Sequence, residues 1–232
     1  MRTLALVLLL CCTACNSTSA PTPTQSATAQ PAANVQPGAS DASNVSNASN
    51  ASNVNLELDP EHSQALFRAR EQLANRSLPS DAVGTTKDVA GAIAVSADGI
   101  VPANSSVTVK LESLQSDSRQ RDNFIKQNTL EVARYPTAQF QPTALHGLSW
   151  PLPESGTSTF QIDGDLTVHG VTRPTTWDLN GTFSSDDVSG SGTTVVTLDQ
   201  FGMQKPRVFS VLSIDDDITL ELDFRAVRTP AR

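Results

Sequence analysis

Cysteine is missing from almost the whole chain: the three present are Cys11, Cys12 and Cys15. Everything downstream therefore lacks an internal disulfide, a thiolate metal site and a cysteine nucleophile, and must be held by its core alone. A domain of roughly 175 residues is long enough for that, because chains of such length bury about 70% of their unfolded surface. Histidine is equally sparse. His62, His146 and His169 stand far apart with no His-x-His or His-x-x-x-His spacing, so no metal site follows and each reads as a structural side chain. No Gly-x-Ser-x-Gly elbow, phosphate loop, dinucleotide fingerprint or Cys-x-x-Cys-His motif occurs. With no nucleophile beside a base, no catalytic residue is assigned and an enzyme is not expected. Positive charge is short too. The net formal charge is -8, and since Arg2 and Asp41 cancel, the residues from Asn55 onward carry all of it. An acidic domain without a basic patch points away from nucleic acid and from electrostatic docking on anionic lipid.

The one apolar run near the start, from Leu4 to Leu10 behind Arg2, is too short to span a bilayer and reads as a secretory signal over residues 1–14. The small residues Thr13 and Ala14 ahead of Cys15 resemble a bacterial lipobox, with Cys12 where leucine is usual. Cys15 is then the lipidated first residue of the mature chain. From Asn16 to Val54 the composition shifts to Ser, Thr, Ala, Asn, Pro and Gln, with Asp41 the only charge. Such a stretch buries too little apolar area to offset its ordering entropy, so residues 15–54 read as a disordered tether ahead of a domain at 55–229. A flexible coil of about 40 residues reaches roughly 35 Å. The expected location is extracytoplasmic, at the cell surface or in the periplasm, with membrane contact through the lipid anchor.

What the domain does contain is alternation. Phe160, Ile162, Leu166 and Val168 fall on even positions against Gln161, Asp163, Asp165, Thr167 and His169. A strand sends successive side chains to opposite faces, so this is a half-buried strand. After a turn signal at Gly170 to Pro174 the apolar set is Trp177, Leu179 and Phe183, which makes a long antiparallel hairpin. Ile218, Leu220, Leu222, Phe224 and Ala226 alternate in the same way, as do Val107, Val109 and Leu111, and Val89, Gly91, Ile93 and Val95. Shorter candidates are Val54 to Leu58, Gln64 to Arg70, Thr137 to Gln141 and Thr193 to Leu198. Eight or nine strands with turns between them favour a closed antiparallel barrel over a sheet with exposed edges. Gly164, inside a strand, marks a bend. One helix is expected around Ser118 to Asn128, capped by Asp117 or Ser116. Asp215, Asp216 and Asp217 lack the EF-hand pattern and read as a solvated hairpin turn.

Three segments carry a resemblance: SRQRDNFIKQNTLEVARYPTAQF from Ser118 to Phe140, LTVHGVTRP from Leu166 to Pro174, and DQFGM from Asp199 to Met203. In order and spacing they are similar to the YceI-like family, and the likeness spans Asn55 to Arg228. It implies an all-β fold, an extended eight-stranded antiparallel lipocalin-like barrel with one short helix, whose apolar interior holds a polyisoprenoid or isoprenoid-quinone chain. Arg119, Arg121 and Asp122 match the family motif and are expected to pair or cap locally, the other reading being contact with a ligand's polar head. Residues 69–89 depart from the family's usual first strands, at what would be the pocket mouth.

An eight-stranded barrel is just wide enough for one small ligand where its interior leaves room, and Gly91, Gly164, Ala138 and Ala226 are small interior candidates. The expected lining is Phe160, Ile162, Leu166, Val168, Trp177, Leu179, Leu220, Leu222 and Phe224, with Phe140 and Val109 as weaker choices. The expected function is a membrane-anchored binding protein that transports or sequesters an apolar lipid, with no other cofactor; a homodimer is kept open. The other reading is a packed, ligand-free β-domain that serves as a surface interaction or stress-response module, acting through loops such as Leu145 to Ser158 with Trp150.

Overall fold

The computed structural model describes residues 53–207, 209 and 211–230. The signal, Cys15 and nearly all of the tether fall outside them. The strands are β1 (Val54–Leu58), β2 (Gln64–Leu73), β3 (Ser80–Thr86), β4 (Val89–Ser96), β5 (Gly99–Ile100), β6 (Ser106–Lys110), β7 (Thr137–His146), β8 (Gly156–Val168), β9 (Val171–Phe183), β10 (Asp187–Thr197) and β11 (Val211–Pro230). Antiparallel pairing runs β1-β4-β6-β7-β8-β9-β10-β11, and β11 pairs back to β1, which closes an eight-stranded barrel. Closure leaves no free edge on this ring, as the expected barrel requires.

The twenty-residue β11 serves two neighbours. Its C-terminal part pairs with β1 and its N-terminal part with β2, while β3 continues β4 beside them. Residues 54–73 and 80–96 therefore form one long hairpin interrupted near its middle. At the interruption Ser63, which is buried, takes the place of a ladder carbonyl: its hydroxyl accepts from the Arg225 amide at 3.2 Å. The strand β3 was not expected from the sequence, and it extends the wall beside β2.

On its far side β3 makes a single bridge, Thr85 to Gln115. The helix α1 (Arg119–Phe124) and a π-helical turn, Ile125–Thr129, stand in this part of the wall. The cap is Ser118, whose hydroxyl accepts from the Arg121 amide, whereas Ser116 instead donates to Asp122 at 2.6 Å. The hairpin turn after β8 is tighter than expected. His169 and Gly170 both have positive φ, 52° and 72°, so Pro174 lies within β9 rather than in a turn. Paired left-handed residues give the twist that a two-residue hairpin needs. Asp215 to Asp217 likewise make no hairpin turn. They form a bulge within β11, where the register to β2 shifts between Ile214 and Ile218, and all three are exposed.

The core has two parts. At the end where β1 and β10 begin, Leu58, Val89, Val107, Phe183, Val188, Phe224 and Ala226 pack with Phe160. The loop between β7 and β8 lies over this end: Leu148 packs on the cluster, Leu152 is buried, and Arg228 donates to the Pro153 carbonyl. At the other end Ala69, Leu166, Val168, Val196, Phe201, Met203 and Ile218 form the second cluster.

Candidate functional site

The barrel interior holds a cavity of ≈ 370 Å³ that the buried residues of the second cluster line. Its walls come mainly from strand positions of one parity, with the α1 segment at one end. On β2 these are Ala65, Phe67, Ala69, Glu71 and Leu73; on β11 they are Ile214, Ile218, Leu220 and Leu222. Period-two alternation turns most of their neighbours outward, where Arg68 meets Glu221 at 2.8 Å, although Leu66 and Glu221 also border the cavity.

Aromatic rings line this space without filling it, and glycines explain how. A Cβ built on Gly84 would lie 2.1 Å from Phe67 Cε1, and one on Gly164 would lie 2.6 Å from Phe140 Cε2. Gly192 has Leu179 Cγ at 3.2 Å and Trp177 Cε3 at 3.6 Å from the same position. Each ring occupies the volume of a missing side chain on an adjacent strand, so it lies against the wall and leaves the axis free. Phe140 and Trp177 then meet at a tilted 5.9 Å, an edge-to-face spacing.

Of the expected lining, Val109, Phe140, Ile162, Leu166, Val168, Trp177, Leu179, Leu220 and Leu222 border the cavity. Phe160 and Phe224 do not. They share the parity of Ile162 and Leu222 but sit deeper, in the packed cluster at the closed end. Gly91 serves neither purpose: its missing Cβ lets β6 approach, with the Ser106 carbonyl oxygen 2.1 Å from where that atom would be. Sequence reading missed Phe67, Phe124, Ile125 and Phe201 on the wall. For Phe67 the signal was partly present, since Phe67 and Ala69 alternate with Arg68 and Arg70, but Leu66 interrupts the pattern.

A buried ion pair stands at one end. Glu71, 6% exposed, faces inward near the tip of β2, and Arg121 from α1 reaches it at 2.7 Å. Arg121 also contacts Asp117, and both Glu71 and Arg121 border the cavity. A carboxylate on an interior position of a barrel strand is costly unless paired, and α1 supplies the pair.

The histidines and acidic residues outside hold the surface together. His62 lies 2.7 Å from Asp59, and His146 lies 2.8 Å from Asp163. His169 stacks on Tyr135 at 4.5 Å with Glu131 at 3.4 Å. The Thr176 hydroxyl, and after it His146, hold Asp163 below the usual carboxylate range; Ser184 and then Arg225 do the same for Asp187. Among the described residues no group of three or more His, Cys, Asp or Glu could hold a metal ion.

With this architecture in place, the sequence pattern of YceI-like domains matches residues 56–226. The chain belongs to the YceI-like family. Its relatives include a UPF0312 protein of Pseudomonas syringae pv. tomato, 35% identical over 149 residues that cover 60% of this chain and 71% of the relative. Another, from Pseudomonas fluorescens, is 33% identical over 145 residues with the same coverage, 60% and 71%. Among solved structures, a polyisoprenoid binding domain from Saccharophagus degradans superposes with a TM-score of 0.58 at 13% identity, covering 76% of this chain and 98% of that one. Burkholderia cenocepacia BcnA gives 0.53 at 16% identity, over 74% and 99%. The YceI-like barrel is thus shared at low identity. What fills its interior here is set by this chain's own residues.

Proposed function

We propose that this YceI-like protein binds a long apolar lipid of the polyisoprenoid or isoprenoid-quinone class inside its barrel, for transport or sequestration. The observation that carries the reading is the cavity itself: aliphatic and aromatic side chains surround it, and the Glu71–Arg121 pair stands at one end. Burying a hydrocarbon chain stabilises a complex through area alone, at about 25 cal/mol per Å² before association costs, so no charged site is needed along its length. The Saccharophagus degradans domain, named for polyisoprenoid binding, supports the same ligand class. The signal and Cys15 support an extracytoplasmic protein anchored by lipid, with the tether holding the domain off the membrane. A binding role also accords with the lack of any nucleophile and base pair in the sequence.

The test is native mass spectrometry with organic extraction, on protein purified from the envelope of cells that make isoprenoid quinones. A stoichiometric apolar adduct is expected, and folded Leu222→Arg, which puts a cation in the wall, should carry none. Protein that is apo under gentle conditions and takes up no added polyprenyl lipid would instead favour the packed interaction module.

A further inference from the structure

We infer that an aromatic floor at the closed end of the barrel sets the length of lipid tail the protein accepts, with the tail entering first and the polar head left at Glu71 and Arg121. This rests on the cavity being the lipid site. The register shows how the floor is built. Leu179 faces Gly192, which faces Leu222, and on the β9–β11 wall this is the deepest layer bordering the cavity, with Ile93 and Val107 bordering it on β4 and β6. One inward position further, Gly181 faces Gly190, which faces Phe224. Two adjacent glycines remove the wall's side chains here, yet the space is filled. A Cβ on Gly181 would lie 3.1 Å from Phe160 Cε1 and 3.5 Å from Phe183 Cε2, and the two rings meet at 6.0 Å. Phe183 and Phe224 are 4% and 9% exposed, so nothing continues past them.

Orientation follows from charge. The rings of the floor offer a tail apolar contacts, and Arg228, which stands over Phe183 at 5.8 Å, is engaged with the Pro153 carbonyl, so a polar head there would lose its hydration with little in return. The other end carries Glu71 and Arg121 with Ser118 beside them. From Leu73 at that end to Ala65 opposite Leu222, β2 runs about 26 Å, or roughly 20 Å along the axis for strands tilted by about 40°. A tail longer than this has to fold back or leave its excess in water.

The test is a titration of the full-length protein with polyprenols graded from farnesol to decaprenol. Affinity should rise about tenfold or more per added isoprene unit while the tail is still being buried, then stop rising. Phe160→Ala, which opens the floor, should move that break to longer polyprenols. Leu179→Phe, which adds a ring one layer higher, should move it to shorter ones, and it carries the test alone should thermal melting show that Phe160→Ala fails to fold. An affinity that keeps rising through decaprenol, or a break that stays in place in the folded variants, overturns the floor. No binding at any length overturns the lipid reading, and the floor with it.

Discussion

Phe67 and Gly84 face each other across the β2–β3 register, and the ring fills the space where a side chain at position 84 would be, 2.1 Å from its Cβ. On the β7–β8 wall the Phe140 ring fills the space at Gly164 diagonally, its own register partner being Leu166 and that of Gly164 being Pro142. Because the ring lies where the glycine has no side chain, the barrel gains aromatic surface without losing its central space. Gly84→Ala should drive the Phe67 ring inward, with a stability cost of about 1–3 kcal/mol as expected of overpacking. Urea unfolding measures the cost, and lipid loading by mass spectrometry should fall in the same variant.

Arg121→Ala leaves the Glu71 carboxylate buried without its cation, which should cost about 3 kcal/mol. Replacing both residues by Met should recover most of that loss, because the cost lies in the unpaired charge and not in the absence of the pair. A double-mutant cycle by chemical denaturation checks this, and additive losses would count against it.

Stability should be nearly flat from neutral pH to about pH 5 and fall below about pH 4. Asp187, bonded by Ser184 and then Arg225, and Asp163, bonded by Thr176 and then His146, have folded-state pKa values below the ordinary one. A depressed carboxylate favours the folded state above its unfolded pKa of about 3.9, and this contribution disappears as pH falls through the lower folded value. In a series of melts across pH, Asp187→Asn should start from lower stability at neutral pH and lose less on acidification.

The β8–β9 turn needs left-handed backbone twice, at His169 and Gly170. Gly170→Ala should cost about 2 kcal/mol, since its methyl adopts a disfavoured φ and meets Tyr135 Cε1 at 2.7 Å. His169→Asn keeps a residue tolerant of that φ and loses mainly the Tyr135 stacking, about 1 kcal/mol. Thermal melts should rank Gly170→Ala below His169→Asn; the reverse order would mean that the aromatic contact outweighs the turn.

Much of the barrel was legible in the chain because period-two alternation is a local property. Phe160, Ile162, Leu166 and Val168 turn inward for the reason their sequence suggested, and closure followed from the number of strands. The strand β3 was not legible: Ser80, Asp81, Gly84, Thr85 and Thr86 have little apolar pattern, and its place depends on pairing with β2 and holding the Phe67 ring. Asp215 to Asp217 misled for a related reason. Three adjacent charges suit a turn, but an exposed bulge solvates them equally well while β11 continues.

By itself the sequence determined which side chains face inward, that the domain has no covalent staple, and that its family is YceI-like, since parity, cysteine position and motif order are written along the chain. Depth was decided only by the tertiary structure. Phe160 and Ile162 share a strand face, yet one is packed into the floor and the other borders the cavity. The difference lies in what the neighbouring strands bring beside each, Gly181 against the Phe160 ring and Trp177 opposite Ile162, and register across the barrel, not position within one strand, sets that.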